Sequence, residues 1–298
     1  MMASSQQSDS ARLMRLATYA SVTTALILIL AKMIAWFITD SVSILATLID
    51  SSLDVLASIV NLIAVRHALQ PADKEHRFGH GKAEALAGMG QAMFIAGSAG
   101  LLLLQAVGRM IHPQDGLKGM EIGVGVMLFS MVTTLALITF QKYVIKHTNS
   151  TAIKADALHY KTDLLVNGSV IVALFLAYYG WGYFDALFAI GIAIFILYSA
   201  WEIIQEAINL LMDHELPDEQ REQIRQIVLQ HPETLGFHDL RTRRSGNIVF
   251  IQLHLELDAR LTLSVAHAIA DQVEKQLETL FPEAEVIIHE DPVQVRSI

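Results

Sequence analysis

Six long apolar stretches constrain the fold of this 298-residue chain more than any other feature of its sequence. A helix needs about 20 predominantly apolar residues to cross the hydrocarbon core of a bilayer. Hydrophobic residues make up 53% of the chain and charged residues 17%, a composition typical of a polytopic membrane protein. We therefore predict six transmembrane helices, near residues 14–38, 43–66, 84–111, 119–142, 152–178 and 183–211.

The residues outside these spans predict two further segments. Residues 1–12 are mostly polar, and we expect them to form a disordered N-terminal tail. The transmembrane transport domain then covers 13–211, and a cytoplasmic domain covers 212–298.

The C-terminal segment has the pattern of a small α/β domain. Proline is favoured in the first turn of a helix, and Pro217 stands where we expect one to begin. Between residues 249 and 257, apolar and polar residues alternate with a period of two, as in a strand with one buried face. The predicted elements are helices at 217–231 and 263–281 and strands at 237–243, 247–257 and 286–289. This αββαβ order predicts a ferredoxin-like sandwich.

The same pattern predicts which side chains form the core of this domain. In the long strand they are Val249, Ile251, Leu253, Leu255 and Leu257. In the second helix they are Val265, Ile269, Val273, Leu277 and Leu280. The opposite face of the strand, with Phe250 and His254, is expected to be partly open.

The distribution of charge predicts the topology and excludes one class of partner. Nine lysines and arginines lie beside the spans on one side and two on the other. Because positively charged loops stay in the cytoplasm, we expect both termini there. Most of the net charge of -9 belongs to residues 213–298, which hold 16 acidic and 8 basic side chains. Electrostatic binding of nucleic acid by this domain is therefore excluded.

Ionisable side chains inside two apolar stretches indicate an ion site. The second stretch carries Asp50 and Asp54, and the fifth carries His159 and Asp163. Each pair has i, i+4 spacing, which puts both side chains on one helix face. In the predicted topology both pairs lie roughly 10–17 Å from opposite membrane faces, at 1.5 Å per residue. The four side chains can therefore converge on one divalent cation such as Zn²⁺.

The acids have a structural alternative. Lys32 and Lys161 also lie in the apolar stretches, and ion pairs with them could hold helices together without binding metal. Two pairs at matched depth favour the metal site. Because imidazole and carboxylate must lose protons to bind metal, that site also predicts competition between metal and protons.

Two further groups of ligand-type side chains lie outside the spans. The first comprises Asp73, His76 and His80, in the loop between the second and third spans. The second comprises His238, His254, His267, His289 and Asp291, on neighbouring elements of the predicted sandwich. Imidazole and carboxylate in such groups predict metal binding. Solvated surface histidines are the alternative for both groups.

Several absences restrict the chemistry. The chain has no cysteine, so thiolate metal sites and cysteine nucleophiles are excluded. Imidazole and carboxylate suit Zn²⁺, Fe²⁺ or Cd²⁺ better than Cu⁺. The sequence contains neither the G-x-x-x-x-G-K-[ST] loop of ATP-driven pumps nor the H-E-x-x-H motif of metalloproteases. We therefore predict that the chain is a secondary transporter that uses no ATP. We also predict that it is not an enzyme.

Five motifs resemble those of the cation diffusion facilitator family, and in particular its bacterial zinc and iron exporters. The motifs are Asp50 with Ser51–Asp54, Phe78–Glu84, Ala155–Asp163, His238–Arg243 and Ile287–Pro292. The resemblance runs from the first span to Pro292. It implies a homodimer in the bacterial inner membrane that exports Zn²⁺, Fe²⁺ or Cd²⁺ from the cytoplasm in exchange for protons, by alternating access.

The resemblance also implies a role for each group of side chains. Asp50, Asp54, His159 and Asp163 correspond to the transport site, and Asp73, His76 and His80 to a loop site. His238, His254, His267, His289 and Asp291 correspond to a binuclear cytoplasmic site in which the aspartate bridges two ions. Lys82 and Asp213 correspond to a charge lock between subunits, and metal in the cytoplasmic domain would stabilise the dimer and modulate transport. Where relatives commonly have glutamine, this chain has Glu290, which could add negative charge to the binuclear site or remove an amide hydrogen bond.

Two other functions are compatible with the same side chains. A membrane metal sensor, with structural acids in the membrane, predicts metal binding without flux. An exporter of organic cations predicts flux that survives the substitution His159→Ala.

Overall fold

The structure, a computed structural model, describes residues 2–39, 42–111, 120–178, 184–246, 248–282 and 284–294. The chain forms two compact units. One consists of Ser10–Gln70 and Ala83–Ile208 and contains the long helices. The other consists of Met1–Asp9, Pro71–Lys82 and Asn209–Ile298 and contains the small α/β domain.

Six long helices confirm the predicted spans. They are α1 (Met2–Thr39), α2 (Val42–Ala68), α3 (Lys82–Ile111), α4 (Met120–Thr148), α5 (Thr151–Tyr178) and α6 (Phe184–Leu211). Within the described residues, α1, α3, α4 and α6 contain stretches long and apolar enough to cross a membrane by length and composition. The remaining two, α2 and α5, are the helices that carry the charged pairs.

The first helix is longer than predicted. It begins at Met2, so the described part of the predicted disordered tail, 1–12, is helical. Neither glycine nor proline occurs among the first 40 residues. The residues that most strongly disfavour a helix are therefore missing from this segment, and polarity alone does not end the helix.

Small side chains allow the long helices to pack closely. One buried cluster joins α3, α5 and α6 and contains Ala92, Ile95, Ala99, Ala155, Leu158, Ile196, Ala200 and Ile203. A second joins α1, α2, α4 and α5 and contains Met14, Ala17, Val65, Val144, Ala152 and Ile153. Alanine at such interfaces lets helix backbones approach each other. Helix α5 contributes to both clusters, so its position depends on helices on two sides.

The C-terminal residues form the predicted αββαβ domain. Its elements are α7 (Asp218–Gln230), β1 (Gly236–Ser245), β2 (Ile248–Asp258), α8 (Leu263–Leu280) and β3 (Ala284–Val293). The sheet has the order β1-β2-β3, with β1 antiparallel and β3 parallel to β2. A parallel pair needs a crossover connection, which α8 provides.

The core of this domain follows the alternation in β2. All five apolar side chains predicted to be buried on this strand are buried. On α8, Ile269, Val273 and Leu277 are buried, but Val265 and Leu280 are 43% and 39% exposed, contrary to prediction. Val265 lies in the first turn of the helix and Leu280 is its last residue. Only the middle of α8 is therefore buried in the core, and its two ends are partly exposed.

The loop before α3 covers part of the sheet face that was predicted to be open. The Phe78 ring lies 5.7 Å from the Phe250 ring, and the Arg243 guanidinium lies 4.0 Å from the Phe250 ring centre. A Cβ atom at Gly81 would lie 2.5 Å from the backbone of Ser245, so this close approach requires glycine. The loop residues Pro71–Lys82 thus belong to the C-terminal unit, whereas the contiguous domain predicted for 13–211 included them.

Candidate metal centres

The first centre lies between α2 and α5, and we call it the transmembrane centre. Ligand-type atoms of Asp54, His159 and Asp163 all lie within 4.8 Å of one another. His159 Nε2 is 3.0 Å from Asp54 Oδ1, and His159 is only 8% exposed. The convergence expected from the two i, i+4 pairs is therefore present for these three side chains. Asp50 belongs to α2, but its side chain lies outside the described residues.

The two lysines of the structural alternative contact other groups. Lys32 Nζ donates to Ser51 Oγ at 2.6 Å and to the Thr47 carbonyl at 3.4 Å. Lys161 Nζ lies 4.4 Å from the centre of the Phe195 ring. The described contacts of these two lysines thus include a hydroxyl, a carbonyl and an aromatic ring.

Buried polar contacts fix α5 on the side of α3 and α4. Asp156 is fully buried, and its carboxylate accepts hydrogen bonds from Gln91 Nε2 at 3.2 Å and Gln141 Nε2 at 2.7 Å. Gln91 belongs to α3 and Gln141 to α4. Asp156 precedes His159 by one helical turn, so this contact sets the rotation of the helix that carries His159.

Tyr160 makes the corresponding contacts with α1 and α2. Its hydroxyl lies 2.9 Å from Ser58 Oγ of α2 and donates to the Ser21 carbonyl of α1 at 3.2 Å. Near the start of α5, Lys154 Nζ contacts Glu206 Oε1 of α6 at 2.6 Å. Helix α5 therefore has a polar contact with each of the other five long helices. Buried polar groups of this kind specify position when they are fully paired.

The start of α5 is also capped by α3. The buried Glu84 carboxylate accepts hydrogen bonds from the Ser150 hydroxyl and from the amides of Thr151 and Ala152. The amides at a helix N-terminus have no partners within the helix, and a carboxylate there is favourable. A Cβ atom at Gly88 would come within 3.1 Å of the Thr151 backbone. Glu84 and Gly88 thus place α3 directly against the helix that supplies half of the transmembrane centre.

The second centre lies in the loop between α2 and α3, and we call it the loop centre. Atoms of Asp73, His76 and His80 lie within 4.8 Å of one another. Asp73 is 3.4 Å from a ring nitrogen of each histidine. The amide of His76 donates to Asp73 at 2.6 Å and lowers the pKa of that carboxyl, and the amide of Glu75 does the same. The three predicted ligands are therefore already assembled around an ionised carboxylate.

The third centre lies on the open face of the sheet, and we call it the sheet centre. The strand register pairs His238 with His254 and His254 with His289, so the three imidazoles form one row across β1, β2 and β3. The same register pairs Glu256 with Asp291. Asp291 Oδ2 lies 2.9 Å from His254 and 3.2 Å from His238, and its Oδ1 lies 3.4 Å from His289.

The electrostatics of the sheet centre favour an ionised aspartate. The hydrogen bond from His254 lowers the pKa of Asp291, and the nearby His289 and His238 contribute in the same direction. The two carboxylate oxygens face different histidines. An aspartate in this position can bridge two cations, as the resemblance implies.

One predicted ligand of the sheet centre lies apart from the others. His267 Nδ1 is 3.6 Å from Glu290 Oε1, and His267 Nε2 is 3.7 Å from Asp271 Oδ1. The group of mutually close ligand atoms on this face contains His238, His254 and Asp291. His289 is outside that group but contacts Asp291, whereas His267 contacts other carboxylates. Glu290 is thus one of the two carboxylates beside His267.

The predicted charge lock forms within one chain. Lys82 Nζ is 3.0 Å from Asp213 and also donates to the Leu211 carbonyl at 3.3 Å. Arg243 Nη1 lies 3.4 Å from the same aspartate. Within this chain the pair joins the start of α3 to the segment after α6, and its role between subunits stays a prediction. Arg243 was not predicted to take part.

Sequence reasoning missed several residues that support the centres. Glu256 Oε1 lies 3.1 Å from His238 Nδ1 and orients that ring for binding through Nε2. The alternation in β2 puts Glu256 on the same face as His254, and this position could have indicated that Glu256 supports the sheet centre. Asp156, Gln91 and Gln141 were missed because contacts between membrane helices depend on helix rotation, which hydropathy does not reveal.

Comparison with known proteins identifies the family. Residues 18–212 match the family model described as the cation efflux transmembrane domain, and residues 216–293 match that of the cation efflux protein, cytoplasmic domain. The chain is 51% identical over 284 residues to the cation-efflux pump FieF of Klebsiella pneumoniae, covering 95% of this chain and 94% of that protein. It is 50% identical over 283 residues to FieF of Pectobacterium atrosepticum, with the same two coverages.

Solved structures match somewhat more than a quarter of the chain. The Zn form of CzrB is 33% identical over 29% of this chain and 99% of that chain, with a TM-score of 0.27. The metal-bound C-terminal domain of the CzcD transporter from Thermotoga maritima is 24% identical over 26% of this chain and 93% of that chain, with a TM-score of 0.25. With both family models matched and half of the residues shared with the FieF pumps over nearly the whole length, the chain belongs to the cation diffusion facilitator family.

Proposed function

We propose that this protein exports a divalent transition-metal cation from the bacterial cytoplasm across the inner membrane, in exchange for protons. The observation that carries the proposal is the convergence of Asp54, His159 and Asp163 between two long membrane helices. Asp50, one turn before Asp54 on α2, would be the fourth ligand. Four such ligands complete a tetrahedral shell. Ionisable side chains at membrane depth are costly, and a transported ion gives them a function.

The donor set supports Zn²⁺ as the principal cargo, with Fe²⁺ and Cd²⁺ as further candidates. One imidazole with carboxylates and no thiolate suits borderline cations. Imidazole also favours Zn²⁺ over the harder Mn²⁺ and Mg²⁺. The FieF relatives are named cation-efflux pumps, which supports export as the direction of transport.

Proton coupling follows from the same ligands. Imidazole and carboxylate bind metal only after losing their protons, so metal and protons compete for His159, Asp54 and Asp163. Protons taken up from outside would displace the ion there, and protons released to the cytoplasm would free the ligands for the next ion. Alternating access to the two sides would convert this competition into exchange. The contacts of α5 with its five neighbours support a mechanism in which helix packing controls that access.

The loop and sheet centres are proposed to bind Zn²⁺ as resident sites. Asp73, His76 and His80 would hold one ion in the loop. Asp291 would bridge ions held by His238, His254 and His289, with His267 reaching the centre only if it leaves Glu290. Both centres belong to the C-terminal unit, so Zn²⁺ binding there would stabilise the fold of this unit and the homodimer that it forms. Through the dimer, bound Zn²⁺ would also modulate transport.

The proposed topology places both termini and the C-terminal unit in the cytoplasm. Because the chain has no native cysteine, single-cysteine variants can test this directly. Cysteine at Glu233 should be protected from an impermeant thiol reagent in intact cells, and cysteine at Asp115 should react. The opposite labelling would contradict the orientation.

The proposed transport is tested by metal flux into proteoliposomes under an imposed pH gradient. Zn²⁺, Fe²⁺, Cd²⁺ and Mn²⁺ are compared for the wild type, Asp54→Ala and His159→Ala. We expect gradient-driven flux of Zn²⁺ that both substitutions abolish. Metal binding without flux in the wild type would instead identify a sensor. Flux of organic cations that survives His159→Ala would identify an exporter of a different substrate class.

A further inference from the structure

A lysine of α1 lies against the helix that supplies half of the transmembrane centre. Lys32 Nζ donates to Ser51 Oγ at 2.6 Å, and Ser51 is 1% exposed. The same ammonium donates to the Thr47 carbonyl at 3.4 Å, one turn earlier on α2. In both contacts the lysine nitrogen is the donor, the only hydrogen-bonding role of an ammonium group. Charge at membrane depth is costly and therefore indicates a function.

The position of Ser51 brings this charge close to the proposed ligands. Ser51 directly follows Asp50 and precedes Asp54 by three positions. Side chains three positions apart on a helix are neighbours, with Cβ atoms about 5–6 Å apart. The ammonium that bonds Ser51 therefore lies beside the turn of α2 that carries Asp50 and Asp54.

The charges of the proposed centre explain why a lysine is useful there. Asp50, Asp54 and Asp163 carry three negative charges when ionised, and a bound divalent cation offsets two of them. Because an uncompensated charge at membrane depth is unfavourable, the third needs a partner. A lysine beside the acids supplies it without occupying a ligand position.

We propose that Lys32 is a fixed counter-charge of the transmembrane centre, which weakens cation binding enough for the ion to be released. This inference rests on the proposed transport function. Repulsion between this ammonium and a divalent cation bound by neighbouring side chains corresponds to about a tenfold effect on affinity or more. A transporter gains from this, because an ion held too tightly by three carboxylates and an imidazole leaves slowly.

The experiment measures the Zn²⁺ concentration dependence of flux in proteoliposomes for the wild type, Lys32→Gln and Lys32→Met. Both variants remove the charge, and Gln can still bond Ser51. We expect KM to fall about tenfold or more, together with a lower kcat, because binding tightens while release slows. Two neutral side chains of different shape ensure that a folding defect in one variant does not decide the result.

Two further variants separate charge from structure. Lys32→Arg keeps the charge and should retain the wild-type KM. Lys161→Gln removes a second lysine from an apolar stretch. Its ammonium lies over Phe195, and position 161 is offset on α5 from the face of His159 and Asp163, so KM should stay within about twofold of the wild type. A higher or unchanged KM in both neutral Lys32 variants, or an Arg variant that behaves like them, overturns the counter-charge. Absence of flux in the wild type would instead overturn the proposed function itself.

Discussion

The transmembrane centre and the sheet centre use the same kinds of ligand in opposite settings. In the transmembrane centre, His159 is buried, and its partners come from two helices that have no backbone hydrogen bonds between them. In the sheet centre, His238, His254 and His289 are aligned by the hydrogen-bonded register of three strands, and all remain accessible to solvent. A centre shared by two helices can open when one helix shifts, whereas strand pairing fixes the sheet centre. The comparison supports the proposal of a transported ion at the first centre and a resident ion at the second.

Removal of a carboxylate from the transmembrane centre should have the largest effect on flux. Asp163→Ala should reduce Zn²⁺ transport by about a hundredfold or more, since changes even to residues that only support metal ligands cost ten- to a hundredfold. Zn²⁺ bound at the sheet centre should be unchanged. Flux assays measure transport, and metal analysis of the purified protein measures the Zn²⁺ bound at the sheet centre. If Asp163→Ala lost this bound Zn²⁺ as well as flux, the two centres would not be independent.

The next effect concerns the buried contacts that hold α5. Asp156→Ala leaves the amides of Gln91 and Gln141 without their acceptor, and should lower the free energy of unfolding by about 1–3 kcal/mol. Flux should fall as well, because the rotation of His159 is no longer fixed. Thermal unfolding in detergent checks the stability. Asp156→Asn, which keeps one acceptor oxygen, should be intermediate, and wild-type stability in Asp156→Ala would contradict the role of these contacts.

The loop centre should respond to a change that touches none of its ligands. Gly81→Ala forces the loop away from the Ser245 backbone, so Zn²⁺ affinity at Asp73, His76 and His80 should fall about fivefold to tenfold. Zinc titration in an Asp291→Ala background, where the sheet centre is disabled, isolates this binding. Gly90→Ala is the matched control, since a Cβ atom there has no neighbour within 4 Å. Equal affinities in the two variants would show that the close approach is not needed.

The smallest effect is the acid dependence of the sheet centre. The pKa of Asp291 is lowered in the folded protein, so its contribution to stability is present above the ordinary aspartate pKa near 4. That contribution is lost as the pH falls through the lower folded value, because the unfolded chain then binds the extra proton. Urea unfolding of the metal-free protein between pH 6 and pH 3 should show a shallower decline for Asp291→Asn than for the wild type. Parallel declines would contradict the native ionisation of Asp291.

The sequence predicted most of the secondary structure and brought together several side chains that the structure places side by side, for physical reasons. Hydropathy located the six helices because each must be apolar for about 20 residues. Period-two alternation located β2 because one face packs against the helices. The i, i+4 pairs predicted the convergence of Asp54, His159 and Asp163, which the structure contains.

Contacts between distant elements could not be predicted in the same way. Whether Lys32 bonds an acid or Ser51 depends on the rotation of α1 against α2, and hydropathy is insensitive to that rotation. His267 was grouped with the other histidines, yet it lies beside Glu290 and Asp271 because α8 presents it away from Asp291. The helical start of α1 was missed because polarity was taken as a sign of disorder.

A matched pair of histidine substitutions tests the central claim most directly. His159→Ala and His254→Ala each remove one imidazole, the first from the transmembrane centre and the second from the sheet centre. Initial Zn²⁺ flux and bound Zn²⁺ per chain are measured for both in proteoliposomes with an imposed pH gradient. We predict that His159→Ala loses flux and keeps Zn²⁺ at the sheet centre, while His254→Ala loses bound Zn²⁺ and keeps flux within about tenfold of the wild type. Loss of flux in His254→Ala with wild-type flux in His159→Ala would contradict the assignment of the two centres.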